Sequence, residues 1–169
     1  MIEYKQSIGY NLEHNRFYPQ ILWLTDEITK TYAGHPNWVN NVFLDGLYKG
    51  TSRAYVFAVA PDSTQWFSIS GQNIGTLAGC SLLKNTPDEK KICCLFVNPN
   101  HRKQGIASNL IERSFVVLNT DKPLMTVAEN NLGQLRPLIQ RFGFELTSVK
   151  DSVYKVGVKE YYYNEGLAR

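Results

Sequence analysis

The stretch 91-KICCLFVNPNHRKQGIASNLIERSFVVL-118 divides into a buried strand, a tight basic turn and an amphipathic helix. Ile92 to Val97 is almost wholly apolar, as a central strand covered on both faces requires. Asn98-Pro99-Asn100 ends it, because proline brings no NH to a ladder and asparagine favours turns. Beyond His101-Arg102-Lys103-Gln104-Gly105, the residues Ile106, Ala107, Leu110, Ile111, Phe115 and Leu118 recur at helical spacing, which puts Gly105 in the first turn of a helix. The first NH groups of a helix lack internal partners and lie at the positive end of its dipole, so this turn is suited to cradling a pyrophosphate. Gly105 keeps a Cβ out of the way of close approach, and Arg102 and Lys103 add formal charge. On its own, R-x-x-G-x-A fits a capped helix with a solvated basic turn equally well. The spacing contains neither a G-x-x-x-x-G-K-[ST] P-loop nor a G-x-G-x-x-G dinucleotide fingerprint.

The flanking segments sharpen this reading. Arg53 to Ala60 is rich in Tyr, Val and Phe and reads as a strand closed by Pro61-Asp62-Ser63, with Gln65 to Ser70 as a candidate extension of a hairpin. Ile74 to Leu83 is a further strand, in which Gly75 and Gly79 point to a bulge or a close backbone approach. The polar turn from Lys84 to Glu89 returns the chain to the central strand, so an antiparallel hairpin precedes it. After the helix, the loop Asn119 to Pro123 leads to a short buried strand, Leu124 to Ala128, expected to lie parallel to the central one. In open α/β sheets ligands bind at the carboxyl edge of such a pair.

Strand, V-x-P, then Arg102-x-x-Gly105-x-Ala107 opening a helix closely resembles motif A of the GNAT acyltransferases. The segment Asn131 to Phe144, ending in Gly143-Phe144, resembles that family's motif B. Together these cover about the last half of the chain. The resemblance implies an α/β (α+β) GNAT-like fold: a mixed, mostly antiparallel sheet of about six to seven strands with a central parallel pair, flanked by about four helices. It also implies acetyl-CoA as acyl donor, no metal, and a small-molecule or peptide amine as acceptor, with a homodimer left open. By the same resemblance, the main chain of Leu95, Phe96 and Val97 pairs with pantetheine and polarises the acetyl carbonyl. Arg102, Lys103, Gln104, Gly105, Ile106, Ala107 and Ser108 hold the pyrophosphate, and Asn131 or its neighbour Asn130 contacts the pantetheine arm. Pro137 departs from the motif B pattern, since proline inside a helix costs about 3 kcal/mol; the helix is expected to start near Leu135 or to kink.

The side-chain chemistry is less well marked. Family members that use a general base often carry a glutamate on the central strand or on the parallel one, and the matching positions here, Lys91 to Cys94 and Met125 to Val127, hold no carboxylate. Glu129 and Glu89 are the nearest substitutes, although a solvated surface charge is the commoner reading of each. The family's tyrosine acid, four residues before Gly-Phe, is replaced by Ile139. Tyr154 and Tyr162 on the final strands are the candidates to reach the sulfur, unless the thiolate needs no acid. An acyl-cysteine on Cys93 or Cys94 is rejected, because thiols in an apolar strand have raised pKa values and no His stands at helpful spacing.

Ahead of the sheet, residues 2 to 8 read as a short edge strand. Phe17, Ile21, Leu24, Ile28 and Tyr32 form one helical stripe with Asn15 as cap, and Trp38, Val39, Val42, Phe43 and Leu47 form another that Gly50 ends. The family places part of its acceptor wall on such helices, which makes Trp38, Asp45 and Tyr48 candidates for it. Phe144 to Lys155 and Gly157 to Tyr163 finish the chain as β-rich segments; alternation should bury Tyr162 and expose its neighbours, or the reverse.

Composition narrows the function classes. The chain has 169 residues, 43% hydrophobic and 20% charged, enough for one globular domain over 1–169 with its own core. A net charge of +3 with scattered basic residues is a weak electrostatic footprint for nucleic acid. Cys80, Cys93 and Cys94 show no C-x-x-C spacing, which favours buried thiols in a reducing compartment over disulfides or zinc. No stretch has membrane-spanning length and the start has no apolar leader core, so the expectation is a cytoplasmic protein without a membrane partner. The leading function is N-acetyl transfer from acetyl-CoA to a primary amine in a ternary complex; the alternative is a non-catalytic acyl-CoA-binding or sensor domain of the same fold.

Overall fold

A computed structural model of the chain describes residues 1–9, 19–23, 26–29, 32–50, 52–61 and 75–167. Its centre is one seven-stranded sheet built from β1 (Glu3–Ile8), β2 (Arg53–Ala60), β3 (Thr76–Asn85), β4 (Lys90–Val97), β5 (Leu124–Ala128), β6 (Leu146–Asp151) and β7 (Lys159–Tyr163), in the order β1-β2-β3-β4-β5-β7-β6. All neighbours are antiparallel except β4 and β5, which run parallel. The mixed sheet with a central parallel pair is therefore as the sequence predicts. The apolar run of β4 belongs to its central position, whereas β1 and β6 lie at the two edges.

Helices cover both faces. Two long ones, α4 (Ile106–Leu118) and α5 (Leu132–Arg141), follow three four-residue helices, α1 (Asp26–Thr29), α2 (His35–Trp38) and α3 (Asp45–Tyr48). One face of the sheet buries Val56, Ala58, Ile92, Met125, Val127 and Tyr163 against Leu110, Ile111 and Leu118 of α4 and Ile139 of α5. The other buries Tyr55, Phe57, Leu82 and Cys94 against Ile21, Val39, Phe43 and Leu47. Gly79 lets α4 seat closely, because a Cβ there would lie 2.9 Å from the Phe96 carbonyl oxygen and 3.2 Å from both Ile106 and Leu110. Gln20 ties the 19–23 helical segment to the start of β3: its Nε2 donates to the Gly75 carbonyl at 3.0 Å and its Oε1 accepts from the Leu77 NH at 2.6 Å.

Several expectations are corrected. A wide π-type turn, Val39–Leu44, joins α2 to α3, so the buried stripe runs Val39, Phe43, Leu47 at intervals of four, and Val42 falls off it to be 39% exposed. The helix containing Pro137 starts at Leu132, ahead of the expected Leu135, and continues through the proline. Tyr162 and its neighbour Tyr163 are both buried, because both faces of β7 are covered there: Tyr163 packs into the core under α4 and α5, and Tyr162 on the opposite face lies under Lys150, whose Nζ is 4.0 Å from its ring centroid. The Asn15 cap, Phe17, Leu24 and the hairpin extension at 65–70 lie outside the described residues; Ile28 and Tyr32 are half-buried and Ile21 is buried.

Candidate active site

Pairing across the centre of the sheet creates the site. Opposite β3, Leu82 faces Cys94 and Leu83 faces Ile92, so Cys93 is an extra residue in β4. This bulge bends the strand and reverses its faces: Ile92 packs with α4, whereas Cys94 joins the opposite core. The parallel partners β4 and β5 are paired only at Lys91 with Leu124 and Ile92 with Met125. Beyond the bulge they part, β4 staying with β3 to Val97 and β5 staying with β7 to Ala128. The edge of β4 from Cys93 to Val97 that faces β5 thus has no strand partner among the described residues. Leu95, Phe96 and Val97 on it are each half-buried.

The strand ends in a tightly organised turn. Asn98 is buried, accepts from the Asn100 NH at 3.0 Å through its side chain, and donates its own NH to the Ala78 carbonyl at 2.9 Å. The His101 and Arg102 NH groups close back on Asn98 and Pro99. Two left-handed residues follow, Lys103 at φ 63° and Gly105 at φ 76°, and α4 begins at Ile106. The NH groups from Gly105 to Ser108 have no partner within the helix. They border a cavity of about 210 Å³ lined by Val97, His101 to Lys103, Gly105 to Ser108 and, from α5, Leu138. A Cβ on Gly105 would meet only Asn109 Nδ2 at 3.9 Å, so it is the backbone angle, and not crowding, that requires glycine there. Lys103 and Gln104 are exposed; the Arg102 Nε donates to the Val97 carbonyl at 3.3 Å, folding that cation back over the strand end.

Glu129 opens the 3-10 turn Glu129–Asn131 after β5 and is exposed, and Asn131, half-buried, occupies the position before the first turn of α5 without a side-chain cap bond; none of the three lines the cavity at the turn. Asn130 is exposed. Glu89 lies before β4, at the opposite end of the strand from the turn, and pairs with Lys84 at 3.1 Å. Trp38 is half-buried between His35 and Phe43, Asp45 pairs with Lys49 at 2.7 Å, and Tyr48 is largely exposed.

On the other face of the parted strands is a polar cluster of which the sequence marks Tyr154 and Tyr162 as candidates but not Glu160. Met125, Val127, Tyr161 and Tyr163 point toward α4 and α5, so Thr126, Glu160 and Tyr162 point the opposite way. Glu160 is 1% exposed and accepts from the Tyr32 hydroxyl at 3.2 Å through Oε2, while its Oε1 has no hydrogen-bond partner among the described residues. Burial raises its carboxyl above the usual range, against the Tyr32 hydrogen bond and Lys91, which lower it. The Tyr32 phenol is pushed strongly upward by burial and by Glu160. Tyr154, half exposed, meets Tyr32 edge-on at 5.4 Å between ring centroids, and its phenol is raised by burial and then by Glu160. Cys93 is within electrostatic reach of Tyr154, and burial pushes its thiol up to about 11, which leaves almost no thiolate at neutral pH. The one available signal was the carboxylate in Lys159-Glu160-Tyr161-Tyr162-Tyr163, a charged residue set inside an aromatic strand.

Comparison with known proteins places this architecture. The acetyltransferase (GNAT) domain family matches residues 52–146, which span β2 to the start of β6 and include the whole turn. Among curated proteins, none matches the sequence significantly. Among solved structures, a NatC complex bound to Gag peptide and CoA is similar at a TM-score of 0.68 and 19% identity, covering 96% of each chain. NAA60 of Arabidopsis thaliana in complex with acetyl-CoA is similar at 0.59 and 14% identity, covering 96% of this chain and 97% of that one. An acetyltransferase of Bacillus subtilis in complex with CoA gives 0.58 and 14%, with the same coverage.

Proposed function

This chain belongs to the GNAT acetyltransferase family, and on that premise we propose that residues 1–169 form one domain that transfers an acetyl group from acetyl-CoA to a primary amine. The observation that carries the reading is the gap between β4 and β5 opening onto the turn at Lys103–Ser108. A half-buried strand edge with no strand partner among the described residues leads directly into an anion cradle, which suits a long amide-bearing arm ending in a pyrophosphate.

The fit can be argued residue by residue. The NH groups of Gly105, Ile106, Ala107 and Ser108, with the charges of Arg102 and Lys103, would take the pyrophosphate, and Gln104 stands between the two left-handed residues that aim them. The main chain of Leu95, Phe96 and Val97 would take the pantetheine amides, with Asn130 or Asn131 across the gap. When bound, acetyl-CoA supplies a thioester carbonyl. The bulged strand would hold that carbonyl and fix the arm, leaving the face that carries α2 and α3 for the amine. The raised Cys93 and Cys94 thiols support direct attack by the amine over an acyl-cysteine route. Glu129, Glu89 and Tyr154 are the proton-transfer candidates from the sequence; of these Tyr154 alone touches the Tyr32 and Glu160 cluster.

NatC with its peptide ligand and NAA60 with acetyl-CoA lend weight to including peptide N-termini among the acceptors tried. The test is an acetyl-CoA-dependent screen of polyamines, aminoglycosides, amino acids and short peptides, read as thiol release. Steady turnover with at least one amine is expected. Micromolar binding of acetyl-CoA with no turnover on any acceptor would replace the transferase by an acyl-CoA-binding or sensor domain.

A further inference from the structure

We propose that Glu160 is the residue that receives the acceptor amine: its free Oε1 takes a hydrogen bond from the amine nitrogen and then its proton, while Tyr32 holds the other oxygen. This rests on the transferase reading above and adds to it the group that makes the amine nucleophilic.

A carboxylate 1% exposed is costly unless both oxygens are served, and here Oε2 has Tyr32 whereas Oε1 has no hydrogen-bond partner among the described residues. A buried acceptor left open in this way is matched by a donor that arrives with a ligand. Glu160 pairs with Ala128, the last residue of β5, and so stands where β5 has already parted from β4. It projects to the face opposite α4, the side away from the cradle. Donor and acceptor would therefore enter from opposite faces and meet in the gap, with Tyr154, half exposed against Tyr32, marking the entry from the surface.

The surroundings suit proton transfer. Among the described residues, Tyr32, Tyr154, Tyr162 and Lys91 interact electrostatically with it, Lys150 stands opposite it on β6, and Cys93 and Glu89 lie within electrostatic reach of Tyr154. Lys150 lies opposite Glu160 on β6 but is paired to Glu165 at 2.6 Å, and Lys91 alone among the cations draws the carboxyl's pKa down. In the step itself one N–H bond of the bound ammonium breaks, its electron pair stays on nitrogen, and the proton forms an O–H bond on Oε1. The carboxylate is regenerated by loss of that proton to solvent. A raised carboxyl is the better base for this.

The experiment uses the full chain, wild type, Glu160→Gln and Tyr32→Phe. Calorimetry with acetyl-CoA comes first, and similar binding by all three is expected; failure of the wild type to bind would refute the transferase reading and not this assignment. With carboxyl-labelled glutamate, the Glu160 carbon, identified by its loss in Glu160→Gln, is titrated by NMR with n-butylammonium chloride and with n-butanol. The ammonium should shift that resonance and lower its midpoint, the alcohol should do neither, and Tyr32→Phe should raise the midpoint. On an amine from the screen, Glu160→Gln should lose about 100-fold or more in kcat near pH 7, with kcat/KM still climbing at alkaline pH where the wild type has levelled. A Glu160 carbon indifferent to butylammonium and unmoved in Tyr32→Phe would overturn the proposal, as would a Glu160→Gln enzyme within threefold of wild type and with the same pH profile. If Glu160→Gln does not fold, the Tyr32→Phe midpoint and pH profile decide: an upward shift supports the assignment and no shift refutes it.

Discussion

Replacing Gly105 separates the cost of the turn's backbone from its capacity to hold an anion. At φ 76° an L-residue costs about 1–2 kcal/mol, and nothing else should be lost in the free protein, because a Cβ there would meet only Asn109 Nδ2 at 3.9 Å. Gly105→Ala and Gly105→Glu should therefore be destabilised alike, by about 1–2 kcal/mol, lowering Tm by roughly 2–8 °C for a chain of this size. Their affinities should differ. The alanine methyl adds bulk at a residue that lines the cavity and should weaken acetyl-CoA modestly. The glutamate brings a negative charge to the place proposed for the pyrophosphate and offers those NH groups an internal acceptor. A loss of 100-fold or more corresponds to about 2.8 kcal/mol, which one repelled and displaced contact at a helix start can supply. Scanning calorimetry gives the stability arm and isothermal titration with acetyl-CoA gives the binding arm. A folded Gly105→Glu that binds like wild type would refute the cradle. A glutamate variant much less stable than the alanine one would refute the open geometry around position 105.

Two further perturbations test the scaffold. Gly79→Ala places a methyl 2.9 Å from the Phe96 carbonyl oxygen and against Ile106 and Leu110; it should cost about 1–3 kcal/mol in urea unfolding and, by displacing the start of α4, also weaken acetyl-CoA. His35 is 8% exposed with Nε2 unpartnered, and burial lowers its pKa from 6.5 to about 4. The unfolded chain thus binds this proton more readily than the folded one. Stability should be unaffected by the group above pH 6.5, fall as pH drops from there to 4, and level below, for a total of at most about 3 kcal/mol. Urea midpoints measured across that range should show the fall in the wild type and a flatter profile in His35→Leu; equal slopes in the two would rule His35 out as its source.

What could be read from the sequence and what could not follow from where each feature is decided. The β4 strand, the turn and α4 are local: an apolar run, a proline stop, a glycine at a helix start and a 3.6-residue stripe each act within a few residues, and the elements formed where those signals lay. The bulge at Cys93 is invisible locally, because it exists only in the mismatch between Leu82, Leu83 and their partners. The parting of β4 from β5 depends in turn on that bulge and on β7 claiming the other edge of β5. The same strand order keeps Glu160 out of view in the sequence, where the candidate positions for a base lie along β4 and β5. Looking along β4 and β5 assumes that whatever faces the gap belongs to the two strands that form it. Since the chain returns from β6 to insert β7 beside β5, the position opposite Ala128 is filled by Glu160, 32 residues further on in the sequence numbering. A strand of three consecutive tyrosines preceded by a glutamate looks like an exposed edge until it is known to be interior. Once it is interior, a buried carboxylate with one open oxygen is the costliest group on that face, and a costly group retained beside a ligand gap calls for a partner that the folded chain alone does not provide.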